Sequence, residues 1–297
     1  MESDRPFEQR PEAGQEPLTP PPSDVAVAYL DEAAAVGRRR DVYVDRRLSA
    51  RLHVANAIVF FAFFSLAMFA SVPSRSTSIM LVLVPVLVWS RLQTELRESR
   101  GAQMRMTGQA RAWYLAAFVV ILGAFLTLTW LRISGQISVS PMLLIPGVLA
   151  GIVFGIFAFR DARRSVRQEH ERPPRPPFSF GERMMTLAIG VGLGALAAAS
   201  AAWGEIPVVA SALFLVAVLG MLLWFLTAQV SGSVPAPGAV WRAPQWCVFA
   251  GAAGLLAVVA ASPAFGVVVP GAIGFAIGTV IIAAFVVTAF VGGRHEE

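Results

Sequence analysis

The residue pattern most suggestive of chemistry is a glycine-rich run at positions 190–195, GVGLGA. Its letters match the dinucleotide fingerprint, in which a strand, a tight turn and a helix N-terminus together hold a pyrophosphate. Here the run lies midway through an apolar stretch, with no strand before it and no water to solvate a phosphate. We therefore predict no cofactor. We interpret Gly190 and Gly194, four residues apart on one helix face, as positions that let two helices approach closely.

The same four-residue spacing of small residues recurs twice more in apolar stretches. Small residues at this spacing support helix association in lipid, where the hydrophobic effect does not drive helices together. We predict helix packing within the monomer at these positions, with a homodimer seam as the alternative. The further positions are Gly147, Gly151, Gly155, Gly274 and Gly278.

Residues that carry catalysis or bind metals are sparse. The single cysteine, Cys247, lies in an apolar stretch, and the three histidines His53, His170 and His295 are far apart in the sequence. Intramembrane hydrolysis needs a metal cluster, a dyad or a triad, and ion-coupled carriers keep an ionisable residue at membrane depth. The acidic and basic residues lie at the ends of the apolar stretches or between them. We predict no enzyme, no metal site and no ion coupling.

A few polar or helix-bending residues at membrane depth are the remaining site candidates. Threonine hydroxyls can bond to their own helix carbonyls, so Thr127 and Thr129 need no partner. Asn56 has an amide that must find another helix or the interface, and an interhelical bond is favoured over a ligand contact. Pro85 frees a helix carbonyl and is the best hinge candidate. A water-accessible cavity around Asn56, Thr127 and Thr129 would indicate a transporter.

These residues must be positioned by membrane-spanning helices. Hydrophobic residues make up 56% of the chain and charged residues only 14%, with a mean hydropathy of +0.64, which suits lipid rather than water. A helix needs about 20 apolar residues to cross the hydrocarbon core. Eight stretches qualify, so we predict an all-α integral membrane protein. The predicted spans are 52–72, 74–90, 113–131, 141–159, 184–203, 207–227, 245–262 and 264–291.

The arginines predict the orientation of these spans. All 24 basic residues are Arg, which is typical of a GC-rich bacterial genome. With a cytoplasmic N-terminus, most of them fall in cytoplasmic segments, and only Arg75 and Arg132 fall outside, as the positive-inside rule requires. Tryptophans at the predicted span ends agree with this assignment. We predict a multi-pass protein of the bacterial plasma membrane with both termini cytoplasmic. The arginines would attract anionic lipids, and the pI of about 10.5 does not indicate nucleic-acid binding.

The spans predict two four-helix halves. Residues 1–24 form an acidic, Pro-rich tail, 25–51 a short helix and basic segment, 52–159 the first four spans, 160–183 an Arg- and Pro-rich linker, 184–291 the last four spans and 292–297 a cytoplasmic C-terminus. Because each half has an even number of spans, both halves would begin on the same side of the membrane. A repeat of the halves would therefore be parallel rather than inverted. The tripeptides Ile145-Pro146-Gly147 and Val269-Pro270-Gly271 each lie near the start of the last span of their half.

The layout from Tyr29 to Arg164 resembles uncharacterised actinobacterial multi-span membrane proteins. The residues behind the resemblance are Arg46-Arg47, the basic segment 91–111 and the basic segment 160–164. The resemblance implies two hairpins after a short N-terminal helix, and no activity.

Two functions are compatible with these features. The leading expectation is a non-catalytic membrane subunit or scaffold, which works through its Arg-rich face and Gly-lined seams with a membrane-protein partner or as a homo-oligomer. The alternative is a transporter or permease for an apolar or lipid-like solute without ion coupling. A solid bundle without a cavity would favour the scaffold.

Overall fold

The computed structural model describes residues 22–42, 45–70, 78–100, 108–137, 141–165, 178–202, 206–230 and 235–291. Within these ranges 91% of the residues are helical and none is in a strand, so the predicted all-α class is confirmed. Most of the acidic tail, the proline-rich run 173–177 and the C-terminal segment 292–297 lie outside the described residues.

The chain divides into two compact units, Met1–Tyr43 and Val44–Glu297. The described part of the first unit is one helix, α1 (Ser23–Val42). It begins directly after Pro22, whose carbonyl accepts the N–H of Ala26 at 2.9 Å. Asp24 lies in its first turn, where a negative charge is favoured by the helix dipole.

The second unit is a bundle of long apolar helices. Eight of those in the described ranges are long and apolar enough to cross a membrane, which agrees with the predicted multi-span membrane protein. Their order in the chain is α2 (Arg46–Ala70), α3 (Ser78–Ser99), α4 (Gly108–Ile133), α5 (Ile145–Ser165), α6 (Phe180–Ala202), α7 (Pro207–Val230), the short α8 (Pro237–Val240), α9 (Ala243–Ala261) and α10 (Gly271–Val291).

Two helices differ clearly from the predicted spans. Helix α3 continues past residue 90 to Ser99, because Glu95 and Leu96 in its last turns are buried. Helix α10 begins at Gly271 rather than at residue 264. A 3₁₀ turn, Ser262–Phe265, ends at Gly266 with φ +71°, a conformation that glycine adopts without strain. An extended segment then leads to Pro270, so the long eighth span is divided.

The far end of α4 is closed by its own backbone and by α2. Gly135 has φ +74°, its N–H bonds to the carbonyl of Arg132 at 3.1 Å, and the N–H of Gln136 bonds to Leu131 at 2.9 Å. This is a Schellman motif, which satisfies the last helical carbonyls. The Arg132 guanidinium donates to the carbonyls of Met68 and Phe69 at the end of α2. The two helices are therefore joined where both end.

The closest helix pairs are α2 with α5 and α6 with α10, which are the first and last spans of each predicted half. Helix α3 lies between the halves, since it contacts α2 as well as α8 and α9. The main core consequently includes Leu92 of α3 together with Leu193 of α6, Leu256 of α9 and Phe285 of α10. Helix α4 is peripheral, with only 6% of its span buried.

The seam between α6 and α10 brings backbones together at glycines. A Cβ on Gly194 would lie 2.6 Å from the carbonyl oxygen of Gly278, and one on Gly190 would overlap the side chain of Phe285. A Cβ on Gly274 would overlap Ala201. All four glycines of these two predicted pairs therefore lie at close approaches within the monomer, where larger residues do not fit.

The three glycines of α5 are not equivalent. A Cβ on Gly147 would lie 2.6 Å from Ser65 Oγ and 2.8 Å from the carbonyl oxygen of Phe61, so this position lies in the α2–α5 seam. At Gly151 the nearest atom would be 4.0 Å away, and at Gly155 nothing would lie within 4 Å. A close approach is therefore seen at Gly147, whereas Gly151 is only in ordinary contact and Gly155 has no close neighbour among the described residues.

Candidate functional site

Side-chain hydrogen bonds between helices concentrate at the end of the bundle where α2 begins. The amide of Asn56 on α2 makes the interhelical bond that its sequence position favours, because its Oδ1 accepts the indole N–H of Trp89 on α3 at 2.8 Å. Four similar bonds surround this pair, and we call the whole set the polar layer. The four bonds join Ser49 to Asp161, Glu95 to Gly238, Trp241 to Thr186 and Gln245 to Thr288.

Asp161 is the centre of a buried cluster within the polar layer. Its Oδ2 accepts the hydroxyl of Ser49 at 2.8 Å and lies 3.5 Å from Nε2 of His53. The side chains of Arg97 and Tyr114 interact with it electrostatically. The sequence placed Asp161 in the linker and His53 apart from any other functional group. The structure brings them together because α5 continues as a helix to Ser165 and packs along α2.

The geometry of this cluster suits a fixed contact rather than nucleophilic catalysis. In a catalytic triad the histidine lies between the hydroxyl and the carboxylate, so that it can take the proton of the hydroxyl. Here Ser49 and His53 both approach the same oxygen of Asp161. The histidine ring also packs against Phe154 and Phe157, with centroid distances of 6.3 and 5.8 Å. The cluster therefore holds α2 against α5.

The connection between α7 and α9 enters the bundle instead of crossing its surface. We call residues 235–242 the plug. The N–H of Gly238 donates to Oε2 of Glu95 at 2.9 Å, and a Cβ on Gly238 would overlap the backbone of Leu92. Trp241 is fully buried and donates its indole N–H to Thr186 at 2.9 Å. The sequence treated this segment as a short connection. The one sequence feature that could have indicated a buried segment is Trp241, which follows two prolines and Gly238.

Glu95 corrects the interpretation of the segment that follows the second span. By sequence, the arginines of segment 91–105 are first of all determinants of orientation, and the alternative is an amphipathic surface helix that docks a partner. The structure makes residues 91–99 the last turns of α3, and buries the Glu95 carboxylate between the plug and Arg91, whose Nε lies 2.8 Å away. The Glu95 carboxylate therefore bonds to residues of the same chain.

A lateral groove runs between α2, α3 and α9. Its volume is about 500 Å³ and its lining is almost wholly apolar. The side chain of Ile58 is 65% exposed at its rim, so the groove opens sideways, toward the membrane in a spanning bundle. Residues that represent the lining are Ala62 and Leu66 from α2, Pro85 and Trp89 from α3, and Trp246 and Gly254 from α9.

The four polar or hinge candidates do not meet in one place. Pro85 is buried and lines the groove, whereas Asn56 is bonded to Trp89 within the polar layer. Thr127 is exposed on α4, and Thr129 donates to its own helix at Phe125, 2.7 Å away. Asn56 and the two threonines do not line the groove. The groove lies elsewhere, and its surface is apolar.

The fold and groove define a multi-span helical membrane protein with a lateral apolar groove. Comparison of the chain with protein-family models, curated proteins and solved structures finds no match.

Proposed function

We propose that this chain binds an apolar or lipid-like molecule in the lateral groove and handles it without ion coupling, as a binding or transfer protein of the bacterial plasma membrane. The observation that carries this proposal is the groove itself. Its volume of about 500 Å³ lies within the range of about 300–1,000 Å³ typical of small-molecule sites. Its position favours a ligand that enters from the bilayer.

The chemistry of the lining selects the class of ligand. A polar solute in this groove would lose its hydrogen bonds to water without replacement, which costs several kcal/mol per group. An alkyl chain loses nothing and gains dispersion contacts with the side chains along the floor. Trp89 and Trp246 lie edge to face at the polar-layer end, with ring centroids 5.6 Å apart. They mark the depth at which aromatic rings meet headgroups.

We also propose the finer topology given by the arginines. The polar layer would face the cytoplasm, together with both termini, and the two halves would be related as a parallel repeat. The repeat is supported by the shared pairing of first and last spans, α2 with α5 and α6 with α10. The position of α3 between the halves departs from a strict repeat.

Single-cysteine labelling tests the orientation. In a Cys247→Ala background, Gln136→Cys is expected to react with an impermeant maleimide added to intact cells, because residue 136 follows the outer end of α4. Ser99→Cys, equally exposed at the end of α3, is expected to react only after the cells are permeabilised. The reverse pattern would overturn the orientation. Labelling of both sites in intact cells would be read as leakage and checked with a cytosolic thiol protein.

Two glycines on α9 provide a matched test of the groove. Neither Gly254 nor Gly251 has an atom within 4 Å of its Cβ position, but only Gly254 lines the groove. Gly254→Leu is expected to reduce photo-crosslinking of a diazirine-labelled acyl chain to groove residues at least about tenfold, which corresponds to about 1.4 kcal/mol. The measurement is mass-spectrometric mapping of the crosslinks to the full chain in nanodiscs.

Gly251→Leu should leave that crosslinking unchanged, since it adds the same side chain to the same helix outside the groove. Equal crosslinking of the groove in both variants would contradict the proposed function. That result would favour the second candidate, a non-catalytic membrane subunit. The observation that favours a membrane subunit is the exposure of α4, which a partner protein could cover. Only 6% of this span is buried, against 17–50% for the other spans.

A further inference from the structure

The end of the groove nearest the polar layer is fixed by contacts among its three helices. The bond between Asn56 and Trp89 places these residues of α2 and α3 at one level, and the ring contact of Trp89 with Trp246 brings α9 to the same level. Helix α2 begins at this end, α3 finishes there and α9 begins there. One more turn along each helix therefore leads to the same side of the bundle.

A polar side chain lies one turn beyond the lining on α2 and on α3, and an arginine of the plug directly precedes α9. Arg51 lies four residues before Ala55, Gln93 lies four after Trp89, and Arg242 lies four before Trp246. Residues four apart share a helix face, so Arg51 and Gln93 continue the walls formed by α2 and α3. Arg242 lies at the N-terminal end of α9, where the third wall begins. Arg51 is exposed, and the Oε1 atom of Gln93 is buried with no hydrogen-bond partner among the described residues.

We infer that the groove holds one acyl chain of an anionic phospholipid, whose phosphate lies between Arg51 and Arg242 and whose headgroup donates a hydrogen bond to Gln93. The inference rests on the proposed function, because it names the class of lipid that the same groove would take. Arginine suits the task, since its guanidinium matches the geometry of a phosphate. A glycerol headgroup supplies the hydroxyl that the buried Gln93 oxygen lacks.

The length of the groove matches one leaflet. Its lining on α2 extends from Ala55 to Leu66, a separation of eleven residues, or about 16 Å along a helix. Half of a hydrocarbon core of about 30 Å is about 15 Å. A lipid whose phosphate lies at the level of Arg51 would therefore end its chain where the groove ends. This match favours a bilayer phospholipid over a free phosphate or a short apolar solute.

The charge at this end of the groove is positive. The carboxylate of Glu95 on α3 is engaged by Arg91 and Gly238, and Asp45 before α2 accepts the N–H of Leu48 at 2.9 Å. Arginines outnumber carboxylates at this end of α2, α3 and α9, so the net charge here is positive. The preference should therefore be for a lipid with net negative charge, such as phosphatidylglycerol, over zwitterionic phosphatidylcholine with the same chains.

Competition between these two lipids tests the inference. The full chain is placed in nanodiscs of phosphatidylcholine with a small fraction of diazirine-chain phosphatidylglycerol or diazirine-chain phosphatidylcholine, and crosslinks to groove residues are mapped. We expect the anionic probe to be favoured, and Arg51→Gln and Arg242→Gln each to reduce that preference about fivefold, the effect of one arginine at a membrane surface. Arg111→Gln removes an exposed arginine from α4, away from the groove, and should leave the preference unchanged.

The outcomes separate this inference from the proposed function. If both probes crosslink to the groove equally and Gly254→Leu abolishes both signals, the groove binds lipid chains and the headgroup assignment is wrong. If neither probe reaches the groove, the proposed function itself fails. An equal loss of preference in Arg111→Gln would show attraction to the general surface charge and would also overturn the assignment. Gln93→Leu, which removes the buried amide, should weaken phosphatidylglycerol but not phosphatidylcholine.

Discussion

Gly194→Ala is expected to destabilise the folded protein by about 2–3 kcal/mol, although alanine is ordinarily the better helix former by about 1 kcal/mol. The added methyl would lie 2.6 Å from the carbonyl oxygen of Gly278 and 2.7 Å from Ile282 Cγ1. The oxygen belongs to the backbone of α10, which cannot yield without moving the helix. The seam would have to separate, and α6 and α10 form one of the two closest helix pairs of the bundle.

The measurement is reversible unfolding in mixed micelles, with the free energy of unfolding compared between variants. Gly220→Ala is the matched control, because glycine 220 lies on apolar helix α7 and its Cβ would meet nothing within 4 Å. This control should be neutral or slightly stabilising. A neutral result for Gly194→Ala would mean that the two helices are not in close contact. The dependence of stability on protein concentration would then show whether the glycines form a seam between two copies.

The parts of the fold that were predictable from the sequence follow from local periodicity. The eight apolar stretches and the spacing of Gly190 with Gly194 can be read along one helix, because lipid imposes length and close packing imposes small residues. The same spacing at Gly155 meets no close neighbour among the described residues, since a pattern on one helix does not show where the other helices lie. The turn at Gly266 was likewise hidden in an unbroken apolar stretch.

The candidate site depended on contacts that are distant in the sequence. Ser49 and Asp161 are 112 residues apart and Glu95 and Gly238 are 143 apart, and no local pattern pairs them. Pro85 was predicted to be special, but only its position on the groove floor links it to Trp246 and Gly254. A single sequence shows that these residues are unusual for a membrane helix, whereas the packing of α3 between α2 and α9 decides what they adjoin.

Glu95→Leu is expected to release the plug while the helices of the bundle remain. The N–H of Gly238 would lose its only described acceptor in a buried position, which costs about 1–3 kcal/mol and corresponds to an increase in local opening of about 5- to 150-fold. Arg91, whose side chain is only 11% exposed, would lose its ionic partner as well, which adds to the cost because a mostly buried charge is left unpaired. Hydrogen exchange of residues 235–242, read by mass spectrometry, should rise by this factor.

Two further variants test whether the effect depends on the Glu95 carboxylate. Glu95→Gln keeps an oxygen that can accept from Gly238, so exchange in the plug should rise less than in Glu95→Leu. Thr94→Leu places the same side chain at the neighbouring exposed position of α3 and should leave the plug protected. Because the plug also holds Trp241 against Thr186, its release should expose that indole and shift its fluorescence to longer wavelength. Unchanged exchange in Glu95→Leu would mean that the buried Trp241 alone holds the segment, and that the bond from Gly238 to Glu95 adds little.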